Sequence, residues 1–474
     1  MTQSLKQFIG ICKNKNLLLN SNFVKRVSLI IILLFPLLIN AQTITTVAGN
    51  GINGDSGNGG IAISASINRP YGGVFDSKGN FYFVESNSNR VRKTSPCGII
   101  DAVAGTGVAG FSGDSALAAT AELNSPRWVA TDTHNNIYIA DGDNYRIRKI
   151  DTAGIIYTIA GNGVSAYSGD SGQAISASFI QPSGICIDSL GNIYIADDAR
   201  IRKIDTSGII TTVAGNGTVG FSGDSGLATS AEIHAHGIYI DKSGNLFIAD
   251  FYRIRVVNAI TGVINTIAGT GISPYNGDGI PAISANFNTI GLVWDSIGNI
   301  YTADLDNNRV REIDTFGIIH TIAGTGIAGF SGDGGLADTA TMYDPSGVAF
   351  DPCGNLLVPC KENFRIRKII FDSSCNNCNP LSVNVANNHI TVSIYPNPAT
   401  TELTITSPNK INNITIANIL GQTLQTEITN TEKAEINIAA LPSGIYFVKV
   451  ICTDNISSPL ERSGEVSITK IVKQ

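Results

Sequence analysis

Hydrophobic and polar residues alternate along most of the chain in short runs, and these runs recur in sets of four. One set is PRWVATD (126–132), NNIYIAD (135–141), YRIRKID (145–151) and IIYTIAG (155–161). A period of two and an enrichment in Ile, Val and Tyr are typical of β-strands. The stretches between the runs, such as D-x-x-x-N and D-T-A-G, are turn sequences. The pattern therefore predicts an all-β chain.

The last run of each set has closely similar copies along the sequence. Its Ala-Gly pair ends at Gly49, Gly105, Gly161, Gly215, Gly269 and Gly324, at intervals of 54 to 56 residues. A constant period of this length indicates one supersecondary unit copied in tandem. Four short strands per unit, which we term a, b, c and d, are typical of a β-propeller blade.

The repeat is out of phase at its two ends, which predicts how a propeller would close. Strands a, b and c occur six times, but no strand d follows the last strand c at 365–370. The run ITTVAG at 44–49 is a strand d with no blade before it. Pairing these two segments closes a ring of six blades and removes the exposed edges. The alternative, an open β-solenoid, leaves the first strand unexplained.

Three segments resemble NHL repeats in their long bacterial form: VAGTGVAGFSGD at 103–114, IYIADGDNYRIRKID at 137–151 and PSGVAFDPCGNLLV at 345–358. The resemblance covers residues 44–373 and implies a propeller. NHL propellers bind proteins, RNA or glycans, and some are lyases, so the resemblance leaves the function open.

The N-terminus is typical of an export signal. Residues 1–41 contain five basic residues and no acidic one, followed by an apolar run at 27–40 and by Ala41. We expect cleavage between Ala41 and Gln42. The apolar run is interrupted by Pro36 and is short for a membrane span of about 20 residues, so we expect no transmembrane segment in the mature chain; a membrane anchor is the alternative. The mature chain then has 27 basic and 38 acidic residues, which disfavours nucleic acid as a partner.

The composition changes after residue 373. Residues 374–389 are polar and predict a linker, and 390–474 contain alternating runs that predict a small antiparallel β-sandwich. This segment resembles the C-terminal sorting domain of the type IX (Por) secretion system of Bacteroidetes, in YPNPA (395–399), ILGQ (419–422), LPSGIY (441–446) and the terminal KIVKQ. The resemblance implies that residues 390–474 engage the secretion machinery, and that the product is released or attached to the outer cell surface. The alternative is an ordinary β-sandwich used for binding.

Four cysteines are predicted to cluster where the ring closes. Cys353 lies in the a–b turn of blade six, Cys375 and Cys378 follow strand c of that blade, and Cys97 lies in the c–d turn of blade one. Export favours a disulfide among them, although Cys375-x-x-Cys378 also has the spacing of a zinc site.

The long d–a loops carry a repeated acidic group. Its members are Asp55, Asp114, Asp170, Asp224, Asp278 and Asp333. They predict either a crown of acids that binds sugar, peptide or calcium, or a structural feature in which Asp caps its own turn; six near-identical copies favour the structural interpretation. Acids that end strand b face the first Arg of strand c, and we expect each of these pairs to form an ion pair within its blade.

Only a few residues break the repeat near the predicted channel. His234 and His236 stand at the entry to strand a of blade four. Two imidazoles without a third ligand do not predict a metal site, and no catalytic motif occurs. We therefore expect no cofactor other than calcium, and a binding protein whose ligand is a surface glycan or protein. The alternative is a metal-dependent lyase or hydrolase with its site at the channel mouth.

Overall fold

The computed structural model describes residues 42–371, 392–418, 423–452 and 465–473. These residues fall into two compact units, divided after Cys378. Their secondary structure consists of strands and short 3-10 helices, which confirms the all-β class. The predicted signal peptide and the predicted linker lie outside the described residues.

The described part of the first unit, residues 42–371, contains six antiparallel sheets, numbered here in chain order. The first strand, β1 (Thr43–Ala48), belongs to sheet 6. Sheet 1 contains β2 (Gly60–Ile61), β3 (Pro70–Phe75), β4 (Phe81–Glu85), β5 (Arg90–Thr94) and β6 (Ile99–Ala104). Sheet 2 contains β7 (Ala116–Leu117), β8 (Pro126–Thr131), β9 (Ile137–Asp141), β10 (Arg146–Ile150) and β11 (Ile155–Ala160).

The remaining sheets repeat this arrangement. Sheet 3 contains β12 (Pro182–Ile187), β13 (Ile193–Asp197), β14 (Arg200–Ile204) and β15 (Ile210–Ala214). Sheet 4 contains β16 (Ala235–Ile240), β17 (Leu246–Asp250), β18 (Arg253–Val257) and β19 (Ile264–Ala268). Sheet 5 contains β20 (Ile280–Pro281), β21 (Thr289–Trp294), β22 (Ile300–Asp304), β23 (Arg309–Ile313) and β24 (Ile318–Ala323). Sheet 6 adds β25 (Ala349–Phe350), β26 (Leu356–Cys360) and β27 (Arg365–Ile370) to β1.

Short 3-10 helices occupy two recurring places. Those in the d–a loops are Ala62–Ser64, Ala118–Thr120, Ala174–Ser176, Ala228–Ser230, Ala282–Ser284 and Ala337–Thr339, and those in the b–c turns are Ser86–Ser88, Gly142–Asn144 and Lys361–Asn363. The predicted order of strands a to d is found in every sheet. Sheets 1, 2 and 5 also carry a fifth strand beside strand d, and the sequence pattern missed it because two residues are too few to show a period.

Sheet 6 takes its outer strand from the start of the chain. Strand β1 pairs antiparallel with β27, and Ile44 lies opposite Ile369 in that register. Sheet 6 also contacts sheet 1. In one such contact, Ser346 Oγ donates a hydrogen bond to the carbonyl oxygen of Pro70 at 2.8 Å.

The core of the first unit lies between successive sheets. One hydrophobic cluster joins Val84 of sheet 1 to Ile139 of sheet 2, and another joins Leu357 of sheet 6 to Phe83 of sheet 1. The alternating pattern makes this possible, because each sheet presents one apolar face to each neighbour.

The second unit is one antiparallel sheet in its described part. Its strands are β28 (Ser393–Tyr395), β29 (Glu402–Asn418), β30 (Thr423–Asn437), β31 (Gly444–Cys452) and β32 (Glu465–Lys473). Strand β29 is irregular between Thr406 and Ile411, and one hydrophobic cluster contains residues from both of its halves. The predicted sandwich stays a prediction.

Two further observations bear on the sequence predictions. No helix among the described residues is long and apolar enough to cross a membrane. Cys353 is disulfide-bonded, whereas Cys97 is exposed in the c–d turn of sheet 1. Cys375 and Cys378 lie outside the described residues, so the predicted pairing stays a prediction.

Candidate functional site

The repeated loop acids each face a buried arginine. The carboxylates of five of them lie 2.7 to 2.8 Å from a guanidinium that is fully buried, while the acids themselves are between 31 and 40 % exposed. The pairs are Asp114–Arg148, Asp170–Arg202, Asp224–Arg255, Asp278–Arg311 and Asp333–Arg367. A charge-assisted pair of this geometry fixes the loop to strand c, so these carboxylates are already committed within the fold.

In sheet 2, the acid that ends strand b contacts the same arginine from its buried side, so this cluster contains two acids and one arginine. Arg148 Nη1 lies 3.3 Å from Asp141 Oδ2, and both side chains are fully buried. Burial is the largest influence on Asp141 and raises its pKa to about 6, although the Asn124 amide, Asn144 and Arg148 all oppose this shift. The same cause raises the pKa of Asp197 and of Asp304 to about 6 and that of Glu85 to about 7.

This arrangement corrects the predicted arginine partner. Asp141 lies opposite Arg146 in the strand register, yet its ion pair is with the second arginine of strand c, Arg148. The guanidinium of Arg146 instead lies 3.7 Å from the centre of the Phe111 ring. Equivalent contacts occur at Arg200–Tyr167, Arg253–Phe221, Arg309–Tyr275 and Arg365–Phe330. The first arginine therefore holds the loop by a cation–π contact, which strand alternation alone did not reveal.

Sheet 1 departs from this pattern, and Asp55 is not the equivalent of the other loop acids. Arg92 Nη2 donates to the carbonyl of Ser56, as Arg148 Nη2 donates to that of Ser112. Asn58 therefore stands where sheet 2 has Asp114. Asp55 occupies the place of the aromatic ring and forms an ion pair with Arg90.

A cavity of about 260 Å³ opens where the strands a of several sheets converge. Its lining residues come from sheets 1, 2, 3, 4 and 6: Tyr71, Ser86, Ser125, Arg127, Trp128, Ser183, His236 and Lys361. We call it the central pocket. Among these described lining residues there is no carboxylate, and two of the side chains are cationic.

Trp128 forms one wall of the central pocket and faces strands of sheets 1 and 5. The corresponding position of strand a is Gly in the other five sheets: Gly72, Gly184, Gly237, Gly291 and Gly347. A Cβ at Gly72 would lie 3.0 Å from Trp128 Cδ2, and one at Gly291 would lie 2.8 Å from its Cη2. The indole thus fits only because the facing strands carry glycine. Tyr71 meets it edge-on, with the ring centres 5.9 Å apart.

The two cations of the central pocket have weak partners among the described residues. Arg127 Nη2 donates to Asp143 Oδ1 at 3.4 Å, and both side chains are at least one-third exposed. Lys361 Nζ lies 3.9 Å from the nearest oxygens of Asp344 and Glu362. These distances contrast with the short contacts of the buried arginines, so Arg127 and Lys361 keep most of their donors available.

The structure separates the two predicted histidines by role. His236 lines the central pocket, and burial lowers its pKa to about 4, so it is neutral near pH 7. His234 stacks on the ring of Phe251 at 4.9 Å, and its amide donates to Asp250. His234 is not among the pocket's lining residues.

Sequence reasoning missed Tyr71, Arg127 and Lys361, although a signal was present. Along strand a, the residue before the Gly or Trp position is Tyr71, Arg127, Ser183, His236, Ile290 and Ser346. The residue after the strand b acid or Cys360 differs in all six sheets: Ser86, Gly142, Asp198, Phe251, Leu305 and Lys361. These two columns vary beside positions that largely repeat, the Gly of strand a and the acid of strand b, and both columns contribute to the central pocket.

The positions of the acidic side chains bear on whether they could bind calcium together. Among the described ranges, no group of three or more His, Cys, Asp or Glu residues could hold a metal ion. The loop acids are instead held apart, each in its own sheet and each on its own arginine.

Comparison with known proteins supports both resemblances seen in the sequence. Residues 108–166 and 162–220 match the teneurin NHL domain, and 393–458 match the secretion system C-terminal sorting domain. Human teneurin-1 is 29 % identical over 282 residues, which cover 49 % of this chain and 10 % of teneurin-1. The chain thus spans about a tenth of the length of that relative.

Solved structures agree on the fold. A Bacteroides thetaiotaomicron protein of unknown function superposes with a TM-score of 0.53 at 18 % identity, covering 69 % of this chain and 76 % of its own. An auxiliary nutrient binding protein from the same organism gives 0.51 at 16 % identity, with the same coverage. At these identities the likeness establishes fold alone.

These findings define an exported β-propeller protein. The chain combines NHL-type repeats with a sorting domain of the type IX secretion system. It is therefore exported to the cell surface or released from it.

Proposed function

We propose that this chain is a six-bladed, closed β-propeller that binds a glycan or protein ligand outside the outer membrane, with the central pocket as its binding site. The proposal includes the domain organisation: signal peptide 1–41, propeller 42–373, linker 374–389 and sorting domain 390–474.

The observation that carries the binding proposal is the composition of the central pocket. Its residues come from five of the six sheets, and six of the eight occupy the two sequence columns that vary between the repeats. Concave sites with aromatic walls and a few convergent polar groups are the usual sites for ligands. One imidazole without a carboxylate offers too few ligands for a metal, so the metal-dependent lyase or hydrolase receives no support from this lining.

Exposed aliphatic side chains lend some support to a protein ligand. Five d–a loops expose one at the same position and the loop before sheet 4 exposes one a residue later, each more than half accessible: Ile52, Val108, Val164, Val219, Ile272 and Ile327. These loops begin beside the b–c turns. For example, Gly161 starts a d–a loop, and a Cβ added to it would touch the carbonyl oxygen of Tyr145 at the end of a b–c turn. Exposed apolar groups of this kind favour protein contacts.

A binding screen tests the proposal. The exported protein is applied to arrays of surface glycans and envelope proteins, beside Trp128→Gly, which carries the residue of the other five sheets, and Asp114→Asn as a loop control. We expect wild type and Asp114→Asn to bind the same ligand and Trp128→Gly to lose it. If Trp128→Gly melts early, Lys361→Gln takes its place. The absence of any ligand, or binding that survives both pocket variants, would overturn the proposal.

Closure and sorting are tested separately. Deletion of residues 42–49 removes β1 and exposes Ile369, which is fully buried, so we expect a lower melting temperature; an unchanged one contradicts closure by β1. Deletion of residues 390–474 should retain the propeller in the periplasm, and continued release would contradict the sorting role.

A further inference from the structure

We propose that the ligand of the central pocket is a hexuronate, a sugar ring that carries one free carboxylate. This inference rests on the proposed binding function and names the ligand class of the same site.

The cations of the pocket point to an anion. Arg127 and Lys361 both line the cavity, and the acids near them, Asp143, Asp344 and Glu362, are not among the lining residues. Arg127 uses one donor, in a bond of 3.4 Å. A planar guanidinium with free donors matches the two oxygens of a carboxylate, and Lys361 supplies a second positive charge.

The neutral groups of the pocket point to hydroxyls. Ser86 Oγ donates to the carbonyl of Pro126, and Ser183 Oγ donates to that of His236 at 3.2 Å. Both hydroxyl oxygens still have lone pairs, so each can accept a hydrogen bond from a ligand. Burial keeps His236 neutral by lowering its pKa to about 4, so it adds no charge to this side of the pocket.

The aromatic wall and the volume point to a single ring. Trp128 and Tyr71 offer apolar surface beside the polar groups, and the C–H face of a sugar ring packs well against such surface. A cavity of about 260 Å³ lies just below the ~300 Å³ at which pockets for drug-sized ligands begin. One hexuronate residue, free or at the end of a chain, combines a ring face, hydroxyl donors and one carboxylate.

Gly142 is a positioning residue for this recognition. A Cβ at Gly142 would lie 2.6 Å from Arg127 Nε and 2.8 Å from its Cδ. The missing side chain therefore leaves the space in which the arginine lies, and Gly142→Ala displaces the guanidinium without removing it.

Calorimetric titration of the exported protein with D-galacturonate, D-galactose and D-galactose 6-sulfate tests the inference. We expect galacturonate to bind about tenfold more tightly than galactose, because a hydrogen bond to a charged group contributes at least that factor. Arg127→Gln and Gly142→Ala should each lower the ratio of galacturonate to galactose affinity from about tenfold to about one. Asp114→Asn, a loop control, should retain the preference.

Three results would overturn the inference. They are equal binding of galactose and galacturonate, tighter binding of the sulfate ester, and a preference that persists in Arg127→Gln. Each of them leaves the proposed function intact if the array screen has found a pocket-dependent ligand. A screen without any ligand would instead contradict the proposed function itself.

Discussion

The loop clusters and the central pocket use the same residue types in opposite ways. In a loop cluster, Arg148 is fully buried and lies between Asp114 and Asp141. In the central pocket, Arg127 lies 21 residues earlier in the same sheet and is one-third exposed, with one long bond. The cluster recurs around the fold, whereas the pocket occurs once among the described residues. Repetition therefore marks residues that hold the sheets together, and departure from it marks the candidate site.

The largest expected effect is a difference in the free energy of unfolding between two single variants, in which one or the other of these arginines is replaced by methionine. Arg148→Met leaves the buried carboxylate of Asp141 without its charge partner, and we expect a loss of about 3–5 kcal/mol in the free energy of unfolding. Arg127→Met should change it by about 0.5 kcal/mol or less, as is usual for exposed sites. Urea unfolding measures both. Similar losses in the two variants would remove the distinction between cluster and pocket.

The second effect is a dependence of stability on pH that arises in the clusters. The folded pKa of Asp141 is about 6, above its ordinary 3.8, so the folded state binds the proton more tightly. The free energy of unfolding should then fall as pH rises from about 4 to about 6, by up to ~3 kcal/mol for this carboxyl.

The outer acids act in the opposite direction and at lower pH. Burial favours the neutral form of Asp170, but hydrogen bonds from Thr212, Tyr167 and Arg202 outweigh it and lower its pKa. Its contribution to stability is lost only as pH falls through that lowered pKa.

The measurement that tests the Asp141 prediction is the free energy of unfolding at pH 4.5 and at pH 7.5. The difference between the two values should be smaller for Asp141→Asn than for wild type. An identical difference would show that Asp141 does not titrate in this window.

A third comparison concerns two glycines close to residues of the central pocket, Gly237 and Gly142. A Cβ at Gly237 would collide with the carbonyl oxygen of Ile290 in the next sheet, whereas one at Gly142 meets only the flexible side chain of Arg127. We expect Gly237→Ala to cost about 1–3 kcal/mol, as over-packing does, and Gly142→Ala to leave the melting temperature nearly unchanged. A costly Gly142→Ala would mean that Arg127 cannot move.

The smallest effect should be a gain. Asn58 stands where the other sheets place an acid beside the buried arginine, here Arg92. Asn58→Asp should restore that ion pair and stabilise the protein by about 1 kcal/mol. Asp55→Asn, which weakens the ion pair with Arg90, serves as the opposite control. A destabilised Asn58→Asp would contradict the assigned equivalence.

The sequence predicted the strands well because the period of two and the turn residues act locally. Strand β1 was found from its misplaced copy of the repeat, and the sheet order follows from short antiparallel connections. The ion-pair partner of Asp141 was mispredicted because the strand register identifies only the residue directly opposite. It does not show which side chain extends to the carboxylate. Asp55 was misassigned because this loop carries Asp where the others carry an aromatic residue and Asn58 where they carry the acid, and the contacts of Arg92 reveal this equivalence.

The candidate site was harder to predict, since its residues meet only when five sheets converge. His236 was identified because it broke the repeat. Strand periodicity does not separate Trp128 from Trp294, which also lies in strand a but stacks on Tyr239 with the ring centres 4.6 Å apart. What distinguishes Trp128 is the set of five glycines in its column, a comparison between repeats that strand periodicity does not make.

The central claim is tested most directly by the fluorescence of Trp128. The chain has two tryptophans, so Trp294→Phe leaves Trp128 as the reporter in the central pocket. In that background, galacturonate should change the emission; Arg127→Met should shift the change to about tenfold higher galacturonate concentration, and Asp114→Asn should leave it in place. A response that Arg127→Met leaves unshifted but Asp114→Asn abolishes would place the site on the repeated loops and contradict the account.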